Sequence, residues 1–160
     1  MVLERDFRAT LKKDLESVGC CVFTIHGHVF QAAGWPDIQV YHPCWTGHLE
    51  LKVGGNTATK LQKWRMLELR KRGTPAYLLD LTGEDLVVLN SEEVGIMRLA
   101  GWRNDTDHKR RTKLLLIALR FASGVVMSLK DFDIYQWGER NGISSQQIAD
   151  VVEFLRNPEV

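Results

Sequence analysis

Polar and apolar residues alternate in two short runs of the sequence, 37–41 and 48–53. In the second run Glu50 and Lys52 alternate with apolar residues, and a period of two sends the two sets to opposite faces of a strand. The first run begins at Asp37 and has the same period. The pattern therefore predicts two β-strands whose polar faces carry two carboxylates and one amine.

An antiparallel hairpin that turns at Cys44 and Trp45 would place positions 37 and 52 opposite each other, with Glu50 one diagonal step away. Carboxylate oxygens at such a point are suitable ligands for Mg²⁺ or Mn²⁺. An ion there can activate water, polarise a phosphoryl oxygen and neutralise developing charge, and an amine can stabilise that charge. The trio predicts metal-dependent phosphodiester hydrolysis; the alternative is a solvated hairpin face carrying a Glu–Lys pair.

The residues around these strands resemble the motif of the PD-(D/E)xK nuclease superfamily, and within it the VRR-NUC and Holliday-junction-resolvase-like members. The resemblance covers roughly residues 1–100 and rests on Gly34, Pro36-Asp37, Glu50-Leu51-Lys52 and Gln62 on the following helix.

By this resemblance Asp37 and Glu50 would be metal ligands, with the Leu51 carbonyl as a further ligand. Lys52 would be the catalytic lysine, and Gln62 would support the site from its helix. The family also carries a glutamate on the first helix that approaches the metal. Glu4 is the matching candidate in this chain.

Hydrophobic periodicity and turn residues predict the remaining elements. We expect helices at residues 3–18, 58–72, 91–100, 108–123, 129–141 and 145–157, and strands at 21–25, 37–41, 48–53, 75–81 and 86–90. This order predicts an α/β fold with a central mixed β-sheet flanked by helices over residues 1–100. The resemblance implies that this core is restriction-endonuclease-like. Residues 101–160 would form a helical extension for DNA contact or dimerisation.

On the helix at residues 58–72, an apolar side is marked by Leu61, Trp64, Leu67 and Leu69. The basic residues of this helix could meet DNA phosphates, although a charged solvent face is the alternative. Cations at the start of the helix 108–123 oppose its macrodipole, so either a partner anion or plain solvation would explain them. The DNA-contact candidates are Lys60, Lys63, His28, Lys109, Arg110 and Arg111.

The formal net charge of +1 is not that of a protein that coats nucleic acid, so any attraction to DNA must come from local patches. Three cysteines cannot form a paired framework of disulfides, which predicts a reducing compartment. Neither a signal peptide nor a membrane-spanning run is evident. We therefore expect no membrane partner and a cytoplasmic protein, of cellular, phage or viral origin.

The sequence predicts a Mg²⁺- or Mn²⁺-dependent DNA endonuclease. The resemblance further implies a homodimer that cuts junctions, flaps or branches in DNA repair or recombination. One alternative is a sequence-specific endonuclease of the restriction or homing type, in which residues 101–160 read bases. Another is a nucleic-acid-binding module that keeps the fold without turnover. The last two helices suggest a helix-turn-helix faintly and a packing or dimer-forming hairpin more strongly.

Overall fold

A computed structural model describes the protein over residues 3–25, 34–124 and 134–156. Six strands form one sheet: β1 (Cys21–Thr24), β2 (Ile38–Tyr41), β3 (Gly47–Val53), β4 (Ala76–Thr82), β5 (Asp85–Leu89) and β6 (Gly95–Leu99). Five α-helices accompany them in the described residues: α1 (Glu4–Ser17), α2 (Lys60–Lys71), α3 (His108–Ala122), α4 (Ile134–Arg140) and α5 (Ser145–Arg156). A short 3₁₀ turn lies at Trp102–Asn104.

The strands follow one another across the sheet in chain order, from β1 at one edge to β6 at the other. Only β3 and β4 run parallel to each other, because the helix α2 carries the chain back between them. The other neighbours in the sheet are antiparallel. This mixed sheet with flanking helices confirms the α/β class, with a central mixed sheet flanked by helices, that the sequence predicts.

The alternation in β3 and β4 divides the side chains between two layers. One layer joins the sheet to α1 and α3 through a large apolar core that includes Leu11, Leu49, Leu79 and Leu116. The opposite layer is a smaller core in which Met66 of α2 packs against β4. Glu50 and Lys52 lie on this second side of β3, since they alternate with the residues of the large core.

The register between β2 and β3 differs from the predicted hairpin by two residues. Ile38 pairs with Leu49, which brings position 37 level with Glu50 and not with Lys52. The turn is centred one residue earlier than Cys44 and Trp45 would place it. Because a shift of two keeps every side chain on its own face, the carboxylates still converge.

The helix predicted at residues 91–100 is wrong, since this segment contains the strand β6. Asn90 makes the turn by accepting the backbone N–H groups of Glu92 and Val94 through its side chain. Glu93 adopts a positive φ of 62° there, which a helix would not allow. The strand then pairs with β5 and buries Met97.

The predicted apolar side of α2 is divided, since Leu69 packs against the smaller core and the other three residues are exposed. Leu61, Trp64 and Leu67 are 42%, 49% and 37% exposed, and Met66 is the buried residue of this helix. These three residues thus form an exposed stripe along α2, and the helix meets the sheet through a different side.

The helices of residues 101–160 are in part continuous with the rest of the molecule. α3 contributes Leu115, Leu116 and Leu119 to the same core as α1 and the sheet. The start of the helix predicted at 129–141 lies outside the described residues, and α4 is described from Ile134. No helix in the described ranges has the length and apolar character needed to cross a bilayer.

α4 and α5 form a tightly packed pair. A Cβ placed on Gly138 of α4 would lie only 1.9 Å from Cδ1 of Ile148 on α5. Ile148 in turn packs with Ile117 of α3 in a separate apolar cluster. Such packing is compatible with the hairpin and with the helix-turn-helix, so the role of this pair stays a prediction.

Candidate metal centre

Three carboxylates from different elements meet at one edge of the α2 layer: Glu4 from the first turn of α1, Asp37 just before β2, and Glu50 from β3. One oxygen of each lies within 4.8 Å of the other two. The ligand oxygens of an octahedral Mg²⁺ are about 3 to 4 Å apart. The group, called the ligand cluster below, therefore needs only a small contraction to hold a divalent ion.

Asp37 is held by contacts to both of its carboxylate oxygens. Oδ2 accepts the backbone N–H of Leu51 at 2.8 Å, a contact that follows from the observed register of β2 and β3. Oδ1 lies 3.4 Å from Nη1 of Arg8. The carboxylate thereby faces Glu50 in place of open solvent.

Glu50 is a buried carboxylate with only one of its oxygens satisfied. Its side chain is 1% exposed, and Oε1 accepts a hydrogen bond from Nε2 of Gln62 at 2.8 Å. Nζ of Lys52 lies 3.4 Å from the same oxygen. Oε2 is buried without a hydrogen-bond partner. A buried charge normally has every lone pair satisfied, so this oxygen marks a position where a cation would fit.

The electrostatics of the ligand cluster also favour the binding of a cation. Burial raises the pKa of Glu50 to about 8, with the nearby charge of Asp37 adding to the increase and Lys52 opposing it. In the absence of an ion the two carboxylates thus resist ionising together. A divalent cation would reverse this by favouring the ionised form of both, with release of the Glu50 proton.

A capping box at the start of α2 orients Gln62. Oγ1 of Thr59 accepts the backbone N–H of Gln62 at 3.1 Å, and Oε1 of Gln62 accepts the backbone N–H of Thr59 at 2.9 Å. With its oxygen engaged there, the Gln62 amide directs its NH₂ group at Glu50. The local sequence Thr59 to Gln62 therefore both begins the helix and positions the Glu50 carboxylate.

Gly34 lets the start of α2 approach the segment that carries Asp37. Its φ is +82°, and a Cβ at this position would lie 2.5 Å from Cγ of Leu61. Any other residue would be strained and would push α2 away from the chain before Asp37. The glycine thus keeps Gln62 and Asp37 on the same side of the ligand cluster.

Most of the expected site residues meet in the structure. Glu4, Asp37, Glu50, Lys52 and Gln62 converge as described above, although their roles in catalysis stay predictions. Leu51 contacts the site through its backbone N–H, and the use of its carbonyl as a ligand also stays a prediction.

Arg8 also belongs to the site, through its contact with Asp37, and was not among the predicted site residues. It lies four residues after Glu4, so both side chains project from the same face of α1. That spacing was the available signal, but a basic residue on an amphipathic helix is ordinarily solvated.

The expected DNA contacts divide into several groups. His28 lies outside the described residues. Arg111 is wrong as a phosphate contact, because it is only 4% exposed and binds Asp14 within the protein. Arg110 pairs with Asp105. Internal carboxylates thus explain two of the cations at the start of α3 without an external anion.

Lys60 and Lys109 are exposed, and Lys63 pairs with Glu93 at 3.2 Å while remaining 38% exposed at its side chain. For these lysines and for Arg110, contact with DNA remains a prediction.

No family model matches the sequence, and no curated protein matches it. Among solved structures, the chain is similar to Hjc, a Holliday junction resolvase from the archaeal hyperthermophile Archaeoglobus fulgidus. The two chains are 15% identical, the match covers 55% of this chain and 77% of that one, and the TM-score is 0.45.

Proposed function

We propose that the protein is a divalent-metal-dependent deoxyribonuclease that hydrolyses phosphodiester bonds at the ligand cluster. The observation that carries the proposal is the buried, unpartnered Oε2 of Glu50 in a group of three carboxylates within 4.8 Å. This donor set of hard oxygens suits Mg²⁺ or Mn²⁺. Glu4, Asp37 and Glu50 would hold the ion.

The ion, when bound, would activate water and neutralise negative charge that develops on the phosphate. The remaining steps belong to side chains of this chain. Lys52, 3.4 Å from Oε1 of Glu50, would position the attacking water or stabilise charge on the phosphoryl oxygens. Gln62 would keep Oε1 engaged, which leaves Oε2 for the ion.

The direct test is cleavage of labelled DNA with and without Mg²⁺ or Mn²⁺. Asp37→Asn and Lys52→Met should each lower cleavage by at least about 100-fold, because each removes a group that acts on the transition state or its ion. Lys12→Met on α1 is the matched control, since its side chain is exposed and pairs only with Glu16 in the described part of the chain. Circular dichroism should show that all three variants keep the wild-type fold. Undiminished cutting of DNA by either site variant would contradict the proposal.

The preference for branched DNA is the finer part of the proposal, and its support is the sequence resemblance to resolvase-like nucleases. Four-way junctions, flaps, single strands and plain duplex should be compared with a randomised duplex library. Preferential cutting of junctions or flaps supports a role in repair or recombination, whereas selection of one sequence from the library would establish the restriction- or homing-type alternative. Binding of DNA without cleavage in Mg²⁺ would identify a non-catalytic module.

We also propose that the protein is a homodimer, which would suit the two-fold symmetry of a junction. The exposed stripe of Leu61, Trp64 and Leu67 on α2 supports this, because apolar side chains in a row are typical of an interface. Trp64→Glu should convert a dimer into a monomer in sedimentation equilibrium. Tyr135→Glu on α4 replaces another exposed aromatic residue and should leave the mass unchanged. A monomeric wild-type protein would refute the dimer and leave the nuclease proposal standing.

A further inference from the structure

Arg8 competes for the atom that Asp37 would offer to an ion. Oδ2 of Asp37 already accepts the Leu51 N–H, so Oδ1 has the greater free lone-pair capacity for coordination. Nη1 of Arg8 lies 3.4 Å from this same Oδ1. A guanidinium and a divalent cation that contact the same oxygen repel each other, so each weakens the binding of the other.

The position of Arg8 also allows it to move. Its side chain is 20% exposed, against 13% for Asp37, so one end of the pair reaches solvent. Within the described residues the guanidinium has Asp37 as its hydrogen-bonded partner, with no second acceptor to hold it. Release from Asp37 would leave a long cationic side chain beside the ligand cluster.

We propose that Arg8 is a resident counter-ion, which partly neutralises Asp37 until a divalent ion binds and then contacts a phosphate of the DNA. The phosphate half of this inference rests on the proposed function. A guanidinium is suited to both tasks, since its planar N–H groups bind carboxylate and phosphate oxygens with similar geometry. Arg8 would thus add positive charge next to the DNA only once the ion is present.

A structural clamp makes the opposite prediction. If Arg8 only orients Asp37 for coordination, its removal should weaken binding of the ion. If Arg8 competes with the ion, its removal should strengthen binding. The sign of one measurement therefore separates the two roles.

The first experiment is titration of metal-free protein with Mn²⁺ in a calorimeter, without DNA. Arg8→Met keeps the aliphatic stem and removes the charge, and it should bind Mn²⁺ roughly two- to tenfold more tightly than the wild type. Arg8→Lys restores a cation and should return the affinity towards the wild-type value. Arg5→Met is the matched control from the same helix turn, because the Arg5 side chain is 76% exposed; its affinity should be unchanged.

Arg8→Gln serves as a second neutral variant should Arg8→Met fail to fold, as judged by circular dichroism. Equal or weaker binding of Mn²⁺ by the neutral variants would overturn the inference. So would a wild-type protein that binds no Mn²⁺.

The second experiment measures binding of a fluorescein-labelled four-way junction over a range of salt concentrations, in Ca²⁺ and in EDTA. In Ca²⁺ the slope of log K against log salt should be shallower for Arg8→Met by about 0.9, the loss of one phosphate contact. In EDTA the two slopes should agree, because Arg8 is then bound to Asp37. Equal slopes in Ca²⁺, or the same difference in both conditions, would overturn the phosphate contact.

Neither experiment depends on cleavage, so the two proposals can fail separately. Tighter Mn²⁺ binding by Arg8→Met in a protein that cuts no DNA would retain the counter-ion role and refute the nuclease. Cleavage by the wild type together with weaker Mn²⁺ binding by Arg8→Met would do the reverse.

Discussion

In the described part of the chain, two clusters of charged side chains differ in how completely their polar atoms are paired. The first is the ligand cluster of Glu4, Asp37 and Glu50. The second is the ion pair between Asp14 of α1 and Arg111 of α3, whose side chains are each 5% exposed. Both groups involve α1, so the same helix contributes to a group with unpaired polar atoms and to one with none.

Every part of the Arg111 guanidinium has a partner. Nε and Nη2 donate to Oδ2 of Asp14 at 3.0 and 2.7 Å, and Nη1 donates to the backbone carbonyls of Trp102 and Arg103. The group lies 4.1 Å from the centroid of the Trp102 ring. The other oxygen of Asp14 contacts Nδ1 of His108 at 3.1 Å.

The ligand cluster lacks this closure. Glu50 keeps one oxygen without a partner, and burial raises its pKa to about 8, with the nearby charge of Asp37 adding to the increase. A buried group that is fully paired within the chain holds elements together, whereas one that is incompletely paired leaves a position where a ligand can bind. Arg111 therefore has a structural role in α3, and the edge with Glu50 is the site that we propose to bind an ion.

The largest expected difference is in stability. Arg111→Met should lower the free energy of unfolding by about 3 to 5 kcal/mol, because it leaves Asp14 buried without its cation. Lys52→Met should cost much less at neutral pH without metal, since Glu50, whose pKa is raised to about 8, can hold a proton and stay neutral when the nearby cation is removed. Urea denaturation monitored by circular dichroism measures both.

The double variant Asp14→Leu with Arg111→Met is the control for this prediction. Removing both charges should recover much of the loss, as an apolar pair can replace a buried ion pair. If Arg111→Met is as stable as Lys52→Met, the contrast between the two groups is wrong.

The sequence predicted the elements that a local pattern determines. Asp107 begins α3 by accepting the Arg110 N–H, as its position before a helical run indicates. The convergence of Asp37 and Glu50 was also predictable, because it depends on the face of each strand and not on the precise register.

The features that the sequence did not predict depend on contacts between residues that are far apart along the chain. Asp14 and Arg111 are 97 residues apart, so nothing near Arg111 distinguishes it from a lysine or arginine that meets DNA. The exposed stripe on α2 was equally hidden, since helical periodicity locates an apolar side without indicating whether it faces the sheet. The helix predicted at residues 91–100 is wrong because the side chain of Asn90 forms a turn there. In the sequence, Asn90 and Ser91 look like the N-cap of a helix.

A smaller expected effect is the pH dependence of the stability of the metal-free protein. Since the pKa of Glu50 is about 8 in the folded protein and 4.5 is the ordinary value for a glutamate, the folded state holds a proton that the unfolded state has released between these pH values. Stability from this group is therefore fully present below pH 4.5, falls as the pH rises through the interval, and is lost above pH 8.

Glu50→Gln removes this proton exchange and should make the metal-free protein more stable than the wild type above pH 8. We expect a gain of about 2 kcal/mol, which is less than the full pKa shift implies because the cluster relaxes when Glu50 ionises. The buried His48 has a lowered pKa and destabilises the fold as the pH falls below 6.5, but it does so in both proteins, so the difference between their curves isolates Glu50. Urea midpoints in EDTA from pH 4 to 9 measure that difference, with the range chosen to bracket the two pKa values of Glu50.

Added Mg²⁺ should stabilise the wild type and have little effect on Glu50→Gln, since only the ionised carboxylate completes the ion's ligands. If the two proteins show parallel pH curves, the ligand cluster is as well satisfied as the Asp14–Arg111 pair and has no need of an ion.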